Sequence, residues 1–370
     1  MPFKILCVAA ARPNFMKLAP LIRALSAEPK FETVLVHTGQ HYDESMSGQF
    51  FRDLALPSPA HNLSVGPGSH AFQTAEILRR FEPVLLEERP GAVLVVGDVN
   101  STLACALAGA KLNIPVVHVE AGLRSFDRTM PEEINRIVTD SISTLLLVTE
   151  ESGWANLLRE GIEESRIHMV GNLMIDSLRY HLAKASQSDV LSRLCVRPGR
   201  FGLVTLHRPA NVDDPKQLLE IVAALNRISM DLPLCFPVHP RTRASLKNVT
   251  CSPSIQLVDP LGYLDCLCMM SNSAVVLTDS GGMQEETTAL GVPCLTLREN
   301  TERPVTVNQG TNRLAGTSTA SILLAWQQTL TNPPVGRLPE LWDGHAADRS
   351  VACLARHFVN TPASVHAAIA

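Results

Sequence analysis

Two apolar runs that each lead into an acidic residue constrain the fold of this chain most strongly. Residues 92–96 (AVLVV) precede Gly97 and Asp98, and residues 114–119 (IPVVHV) precede Glu120. Apolar runs of this length are typical of strands that are buried on both faces of a parallel sheet. In open α/β sheets, ligands bind outside the carboxyl ends of such strands. We therefore predict an α/β fold in which Asp98 and Glu120 face one crevice.

A helix start follows each of these strands. Residues 100–102 (NST) offer side-chain caps for a predicted helix over 103–111. Pro131 is favourable at the first position of a helix, which places Glu132 in its first turn and Arg136 one turn later. The sequence therefore places a further carboxylate and a cation near the same sheet edge.

The three carboxylates Asp98, Glu120 and Glu132 each have a structural interpretation as well. They could serve as a turn residue, as a partner of Arg124 and as favourable charge in a first helical turn, respectively. A cluster of carboxylates, however, supplies the neighbouring charge and burial that set the pKa of a general acid or base. We predict that the three act together in acid/base chemistry.

The 370 residues contain two successive series in which predicted strands alternate with helical segments. Predicted strands lie near 3–10, 33–38, 92–97, 114–119, 144–149 and 167–170, and again near 201–206, 234–238, 255–258, 274–278 and 293–297. A polar stretch with helix breakers, 186–200, separates the two series. We predict two doubly wound, Rossmann-like α/β domains that face each other across a cleft. Their predicted bounds are 1–185 and 186–344, with a C-terminal helix near 345–370 packing back on the first domain.

Composition excludes several classes of protein. A net charge of −4 gives no electrostatic reason to expect nucleic acid or anionic membrane as a partner. The nine cysteines, several inside apolar runs, indicate small core residues in a reducing cytoplasm. Cys266 and Cys268 lack the spacing and the partner pair of a zinc site, so we expect no metal. With no secretory segment and no apolar run of spanning length, we expect a soluble cytoplasmic protein.

Two segments have the features of an anion site. Arg12 and Lys17 lie at the start of a helix that follows the first strand, where backbone N–H groups and the helix dipole favour an anion. His207 and Arg208 follow the predicted strand 201–206, and arginine makes forked contacts with phosphate oxygens. Exposed cations are common, so each segment alone is modest evidence.

A third segment combines glycines with acids. Residues 280–282 (SGG) follow the predicted strand 274–278 and open a helix, so that unobstructed N–H groups can approach a pyrophosphate. Glu285 or Glu286, in the same helix, can reach a ribose diol. These features predict a nucleotide site in the second half of the chain.

Taken in order, the motifs resemble those of the non-hydrolysing UDP-N-acetylglucosamine 2-epimerase family. They are ARPNFMK (11–17), TGQH (38–41), GDVNST (97–102), HVEAGLRS (118–125), PEEINR (131–136), LHRP (206–209), VHPR (238–241), TDSGGMQEE (278–286) and TERP (301–304). The resemblance runs from residue 4 to about 316. It implies a two-domain fold of the glycosyltransferase B type with the substrate between the domains, and we expect a homodimer.

The resemblance also implies roles for individual residues. The catalytic set is Asp98, Glu120, Glu132 and His207, the substrate-binding set is Arg12, Lys17, Arg136, Ser280, Gly281, Gly282 and Glu286, and Gln40 and His41 match a region that touches a second, activating substrate molecule in some members. The chain departs from many members at three places, residues 10–14, residues 206–209 and Cys266, which replaces an aromatic residue often found near the base. These departures leave the three carboxylates in place.

The reaction chemistry favours a particular mechanism. The C2 proton of an N-acetyl sugar is not next to a carbonyl, so the carbon must first be activated. Transient oxidation by bound NAD requires a Gly-x-Gly-x-x-Gly turn after a strand, whereas the first strand leads into residues 9–13 (AAARP) and no such turn occurs elsewhere. Elimination and re-addition of UDP requires a base, an acid and cations for the diphosphate. We therefore predict a cofactor-free 2-epimerase that interconverts UDP-N-acetylglucosamine and UDP-N-acetylmannosamine.

Other functions remain open from the sequence. A glycosyltransferase of the same fold would keep the diphosphate site but would give the three carboxylates no shared purpose, and a nucleotide-sugar sensor would need none of them. An epimerase acting on a modified UDP-2-acetamido sugar would use the same residues. The product could supply a capsule, a wall polymer or an antigen, and so we expect a role in polysaccharide biosynthesis.

Overall fold

The chain forms two compact units in a computed structural model that describes residues 2–10, 12–39 and 54–360, apart from the side chains of residues 12, 13 and 248. One unit comprises Met1–Ser177 with Glu340–Ala370, and the other comprises Leu178–Pro339. The first division falls inside a helix, earlier than the predicted boundary after residue 185. The reason is that Asp176, at the start of this helix, accepts hydrogen bonds from the backbone N–H groups of Ala346 and Ala347 in the first unit.

Each unit contains one parallel sheet among the described residues. The strands are β1 Phe3–Ala9, β2 Phe31–His37, β3 His61–Asn62, β4 Ala92–Val96, β5 Val116–Ala121, β6 Leu145–Val148, β7 Ile167–Met169, β8 Gly202–Thr205, β9 Leu234–Pro237, β10 Ile255–Val258, β11 Val275–Thr278, β12 Cys294–Thr296 and β13 Asn312–Leu314. Their order is β3-β2-β1-β4-β5-β6-β7 in the first unit and β10-β9-β8-β11-β12-β13 in the second. Both orders reverse direction once, between β1 and β4 and between β8 and β11, which confirms two doubly wound domains.

Helices connect the strands in both units. They are α1 Arg12–Ala27, α2 His70–Glu88, α3 Asn100–Lys111, α4 Pro131–Ile142, α5 Glu151–Arg159, α6 Leu173–Ala185, α7 Val190–Arg193, α8 Pro209–Val212, α9 Pro215–Ile228, α10 Pro240–Ser245, α11 Tyr263–Asn272, α12 Gly281–Leu290, α13 Pro304–Asn308, α14 Thr319–Thr331 and α15 Ala346–Leu354. The chain enters the second unit within α6 and returns to the first before α15. Within the described ranges, no helix is both long and apolar enough to span a bilayer.

The start of α3 differs from the prediction. Residues 100–102 lie within the helix, and Val99 precedes it without any side-chain cap. The Asn100 side chain donates instead to Gln73 (2.9 Å), and its oxygen lies 3.2 Å from His70 Nδ1. Thr102 donates to the carbonyl of Val96, at the end of β4 (2.9 Å). These polar side chains therefore join α3 to α2 and to the end of β4 rather than cap a helix.

Candidate active site

Asp98 and Glu120 lie at the carboxyl ends of two neighbouring parallel strands of the first unit. Asp98 comes two residues after β4, and Glu120 is the second-last residue of β5. β4 and β5 pair in register up to Val96 opposite Val119. Beyond that point β5 pairs Val119 with Leu147 and Ala121 with Val148 of β6, so that Glu120 forms an irregularity in the ladder. Its φ of +72° is unusual for a residue with a side chain. Such a bulge redirects one side chain and is common beside active sites.

The Glu120 carboxylate lies in a tight, buried setting. It forms an ion pair with Lys17 of α1, and both residues are buried. A methyl group built on Gly97, whose φ is +70°, would lie 3.3 Å from Glu120 Oε2 and 3.4 Å from the Asn14 amide nitrogen. The absence of a side chain at residue 97 therefore gives Glu120 its space at the end of β4.

Asp98 is paired with a buried arginine of α4. The Arg136 guanidinium forms an ion pair with Asp98, whose side chain is 31% exposed, and donates to Glu133 (2.7 Å). Glu133 also accepts from the backbone N–H groups of Ser125 and Phe126, at 2.9 Å each. Burial opposes its ionisation, but these N–H groups and Arg136 hold the pKa of Glu133 below its ordinary value.

The two glutamates in the first turn of α4, Glu132 and Glu133, differ in burial. Glu133 is buried and holds Arg136, whereas Glu132 is only partly buried. Arg136 forms ion pairs with Glu133, three positions before it, and with Asp98.

Sequence reasoning missed a buried network behind this edge. His118 of β5 lies between the carbonyl oxygen of Gly97 (Nε2–O 2.8 Å) and Asp140 of α4 (Nδ1–Oδ1 2.6 Å). Asp140 also contacts Arg124 (2.7 Å). Burial raises the pKa of Asp140, yet His118 and Arg124 outweigh burial and leave this pKa below its ordinary value. A histidine inside the apolar strand 116–119 was the available signal.

The side chains of three residues of the predicted set lie outside the described part of the structure. Arg12 begins α1, but its side chain lies outside the described part of the structure. Gln40 and His41 lie outside the described residues altogether. Of the predicted set in the first unit, Asp98, Glu120, Glu132, Lys17 and Arg136 lie at the ends of β4 and β5 or on the adjoining helices α1 and α4.

In the second unit, residues 280–282 lie where β11 leads into α12. Ser280 precedes the helix and donates its backbone N–H to Thr278 (3.0 Å). A methyl group on Gly281 would lie 2.5 Å from an Arg303 guanidinium nitrogen and 2.8 Å from Glu302 Oε1. Gly281 therefore lets these side chains approach the start of the helix, where the dipole favours negative charge.

Arg303 belongs to a buried cluster of arginines and glutamates. The Glu302 carboxylate contacts Arg303 (2.6 Å), Arg298 (2.9 Å) and, at 3.5 Å, Arg208, while Glu285 contacts Arg303 (2.8 Å). Three guanidinium groups against two carboxylates leave one net positive charge beside the start of α12. The sequence predicted roles for Arg208 and Glu285 and gave Glu302 and Arg303 only within the motif TERP (301–304), whereas Arg298 was not named.

Asp279 organises the loop that carries His207. It is fully buried, and its carboxylate accepts from the backbone N–H groups of His207 (3.1 Å) and Arg208 (2.9 Å). It also lies 2.9 Å from His207 Nδ1. Burial raises the pKa of Asp279, but the contacts with His207 outweigh burial and lower it. His207 itself is 46% exposed, so its ring is held on one side and accessible on the other.

The two glutamates of α12 have different partners. Glu285 is fully buried against Arg303. Glu286 accepts a hydrogen bond from the Tyr263 hydroxyl (3.2 Å). Because the Glu285 carboxylate neutralises an arginine, Glu286 is the better candidate for contact with a ribose diol.

Comparisons with known proteins agree with this arrangement. The family model for UDP-N-acetylglucosamine 2-epimerase matches residues 23–355. A UDP-N-acetylglucosamine 2-epimerase of Methanocaldococcus jannaschii is 42% identical over 362 residues, 95% of this chain and 98% of the relative. A crystal structure of the M. jannaschii enzyme with UDP-GlcNAc and UDP superposes with a TM-score of 0.89, covering 96% of this chain and all of that one.

A second relative acts on a modified sugar. The UDP-2,3-diacetamido-2,3-dideoxy-D-glucuronate 2-epimerase of Pseudomonas aeruginosa is 42% identical over 316 residues, which is 85% of this chain and 88% of the relative. Sugar 2-epimerases with different substrates therefore resemble this chain to the same degree. On the family match and these identities, the chain belongs to the UDP-N-acetylglucosamine 2-epimerase family.

Proposed function

We propose that this protein interconverts UDP-N-acetylglucosamine and UDP-N-acetylmannosamine by inverting C2 of the sugar. The family match and the names of its relatives support this activity. The observation that carries the proposal is the pair Asp98 and Glu120, which lie at the ends of neighbouring strands and are each ion-paired with a cation. A sugar transferase of the same fold would give this pair no shared purpose.

The proposed reaction proceeds by elimination and re-addition. A carboxylate removes the C2 proton while the C1–O bond breaks, giving UDP and a 1,2-unsaturated sugar. UDP then adds back to C1 as an acid delivers a proton to the opposite face of C2, so that atoms and charge balance. We assign the base and the acid to the set Asp98, Glu120 and Glu132, because carboxylates in a charged, partly buried setting can serve in both roles.

The leaving diphosphate needs positive charge where its negative charge develops. We assign this role to residues 280–282 at the start of α12, with the net positive charge of the arginine cluster beside them. We assign His207 to the same step, since Asp279 holds one side of its ring and the other is accessible. From the family resemblance we also assign Arg12 to substrate binding.

Proton NMR in D₂O tests this proposal. UDP-N-acetylglucosamine should give UDP-N-acetylmannosamine, and deuterium should enter C2 of both sugars because the base exchanges its proton with solvent. An ¹⁸O label in the bridging position should scramble as the C1–O bond breaks. Interconversion without deuterium at C2 would exclude elimination, and no interconversion of any UDP-2-acetamido sugar would exclude a 2-epimerase.

A modified sugar is the second candidate substrate, since the P. aeruginosa relative has the same 42% identity as the M. jannaschii enzyme, over a shorter part of the chain. We propose UDP-N-acetylglucosamine as the preferred substrate, as indicated by the family description. Comparing kcat/KM for this sugar with that for UDP-2,3-diacetamido-2,3-dideoxy-D-glucuronate decides between them. A larger kcat/KM for the diacetamido uronate would reverse the assignment.

The remaining proposals concern the compartment, the oligomeric state and the pathway of the protein. We propose a cytoplasmic homodimer that supplies an activated sugar for polysaccharide biosynthesis. All nine cysteines, which lie in the described ranges, are free thiols, as is usual in a reducing compartment. Sedimentation velocity tests the dimer.

We also propose that Gln40 and His41 contact a second substrate molecule. This contact predicts a sigmoidal dependence of the rate on substrate concentration, and Q40A should remove it.

A further inference from the structure

A buried tyrosine contacts the proposed ribose-binding residue in the second unit. Tyr263 is the first residue of α11, and Glu286 lies in α12. The Tyr263 hydroxyl donates to Glu286 Oε1 over 3.2 Å, and both residues are 5% exposed. The hydrogen bond therefore lies in a setting where water competes little for either partner.

The ring that carries this hydroxyl is itself held in place. His181 of α6, which is 2% exposed, packs edge-on against Tyr263 with the ring centroids 5.6 Å apart and the planes at 85°. The edge-to-face geometry is a favourable aromatic arrangement. Because a tyrosine has only two side-chain torsions, a fixed ring fixes the position of its hydroxyl.

We propose that Tyr263 is a positioning residue, which orients the Glu286 carboxylate for recognition of the ribose hydroxyls of a uridine nucleotide. The bond from the Tyr263 hydroxyl holds Glu286 Oε1 in a fixed position. A glutamate that keeps one rotamer before the nucleotide arrives loses less side-chain entropy when it binds. This inference rests on the proposed function, because it takes Glu286 as the ribose-binding residue.

A purely structural tyrosine makes a different prediction. If Tyr263 only satisfied a buried hydroxyl and packed α11 against its neighbours, its loss would weaken every nucleotide to the same degree. A positioning residue acts through Glu286, and so its loss weakens only ligands whose ribose hydroxyls reach that carboxylate. The ratio of two affinities therefore separates these roles, and a change in stability does not affect it.

Calorimetric titration of UDP and 2′-deoxy-UDP into wild type, Y263F, E286Q and the double variant Y263F/E286Q tests the proposal. Wild type should prefer UDP by about tenfold or more, since the 2′-hydroxyl bonds a charged group. Y263F keeps the ring on His181 and should reduce this preference about three- to tenfold, with little change for 2′-deoxy-UDP. E286Q should reduce it further, and Y263F should add nothing in the E286Q background.

Y180F serves as a control, because it removes the hydroxyl of a 56% exposed tyrosine in the same unit and should leave the preference unchanged. An unchanged preference in Y263F, or an equal loss for both nucleotides, would overturn the positioning role while leaving the proposed function intact. An equal effect of Y263F in the wild-type and E286Q backgrounds would also overturn it. If wild type and E286Q bind both nucleotides alike, the ribose role of Glu286 fails and this inference fails with it.

Discussion

Replacing Gly97 by alanine should slow catalysis through a single methyl group. The residue has a φ of +70°, and the added methyl would lie 3.3 Å from Glu120 Oε2. This separation is shorter than an ordinary van der Waals contact, so either the carboxylate or the end of β4 must shift by about 0.3–0.5 Å. The Glu120 carboxylate is paired with Lys17 and has little room to adjust without displacing that partner.

The expected size of the effect has two independent parts. A residue other than glycine in a left-handed conformation costs about 1–2 kcal/mol of stability. A misplacement of about 1 Å at a reacting group can cost about 10²-fold in rate, so a shift of 0.3–0.5 Å corresponds to about a four- to tenfold loss of kcat. The affinity for UDP should stay unchanged, because the proposed nucleotide site lies in the second unit.

Gly161 of the same unit provides the matched control. Its φ is +81°, and a methyl group built on it meets no atom within 4 Å. G161A should therefore lose the backbone part of the unfolding free energy that G97A loses in urea titrations, while its kcat for UDP-N-acetylglucosamine stays at the wild-type value. Equal kcat values for G97A and G161A would refute the reasoning, since the clash with Glu120 would then have no consequence.

Three further outcomes follow from the same contacts. D98N and E132Q should each lower kcat by about 10²–10⁴-fold while UDP affinity measured by calorimetry is kept, since loss of an acid or base has that effect; a fall of less than threefold would remove the residue from the chemistry. E286A should weaken UDP binding by about 1.5–3 kcal/mol, and unaltered affinity would contradict its contact with ribose. Because the folded pKa of Asp279 lies below its ordinary 3.8, its stabilisation is complete above that value and is lost as the pH falls through the folded pKa. The melting temperature of D279N should therefore lie furthest below that of wild type near neutral pH, and the gap should shrink below about pH 3.8; a constant gap would mean that the carboxylate charge is not what holds His207.

The strands were predictable because their pattern is local. Apolar runs such as 92–96 and 114–119 need no information from the rest of the chain, and the structure has a strand over the first run and a strand that begins within the second, at Val116. The short strands His61–Asn62 and Asn312–Leu314 were not predicted, because two or three residues are too few to show a periodicity and pair only where a sheet edge is already present.

The site was predictable in its chemistry but not in its pairings. Acids at strand ends indicated Asp98 and Glu120, and cations or glycines that follow predicted strands indicated His207, Arg208 and residues 280–282. The partners of these residues depend on contacts between distant parts of the chain: Lys17 lies 103 residues from Glu120, and Glu302 lies 94 residues from Arg208. Sequence spacing carries no information about such distances, and so pairings of this kind became visible only in the folded structure.

The return of the chain to the first unit has a consequence for how the protein is made. Asp176 accepts hydrogen bonds from Ala346 and Ala347, which follow it by 170 and 171 residues. A nascent chain therefore completes the whole segment Leu178–Pro339 before the partners of Asp176 leave the ribosome. The unit that begins first should be the last to finish folding, and a released chain truncated after residue 339 should hold a protease-resistant second unit together with an incomplete first one.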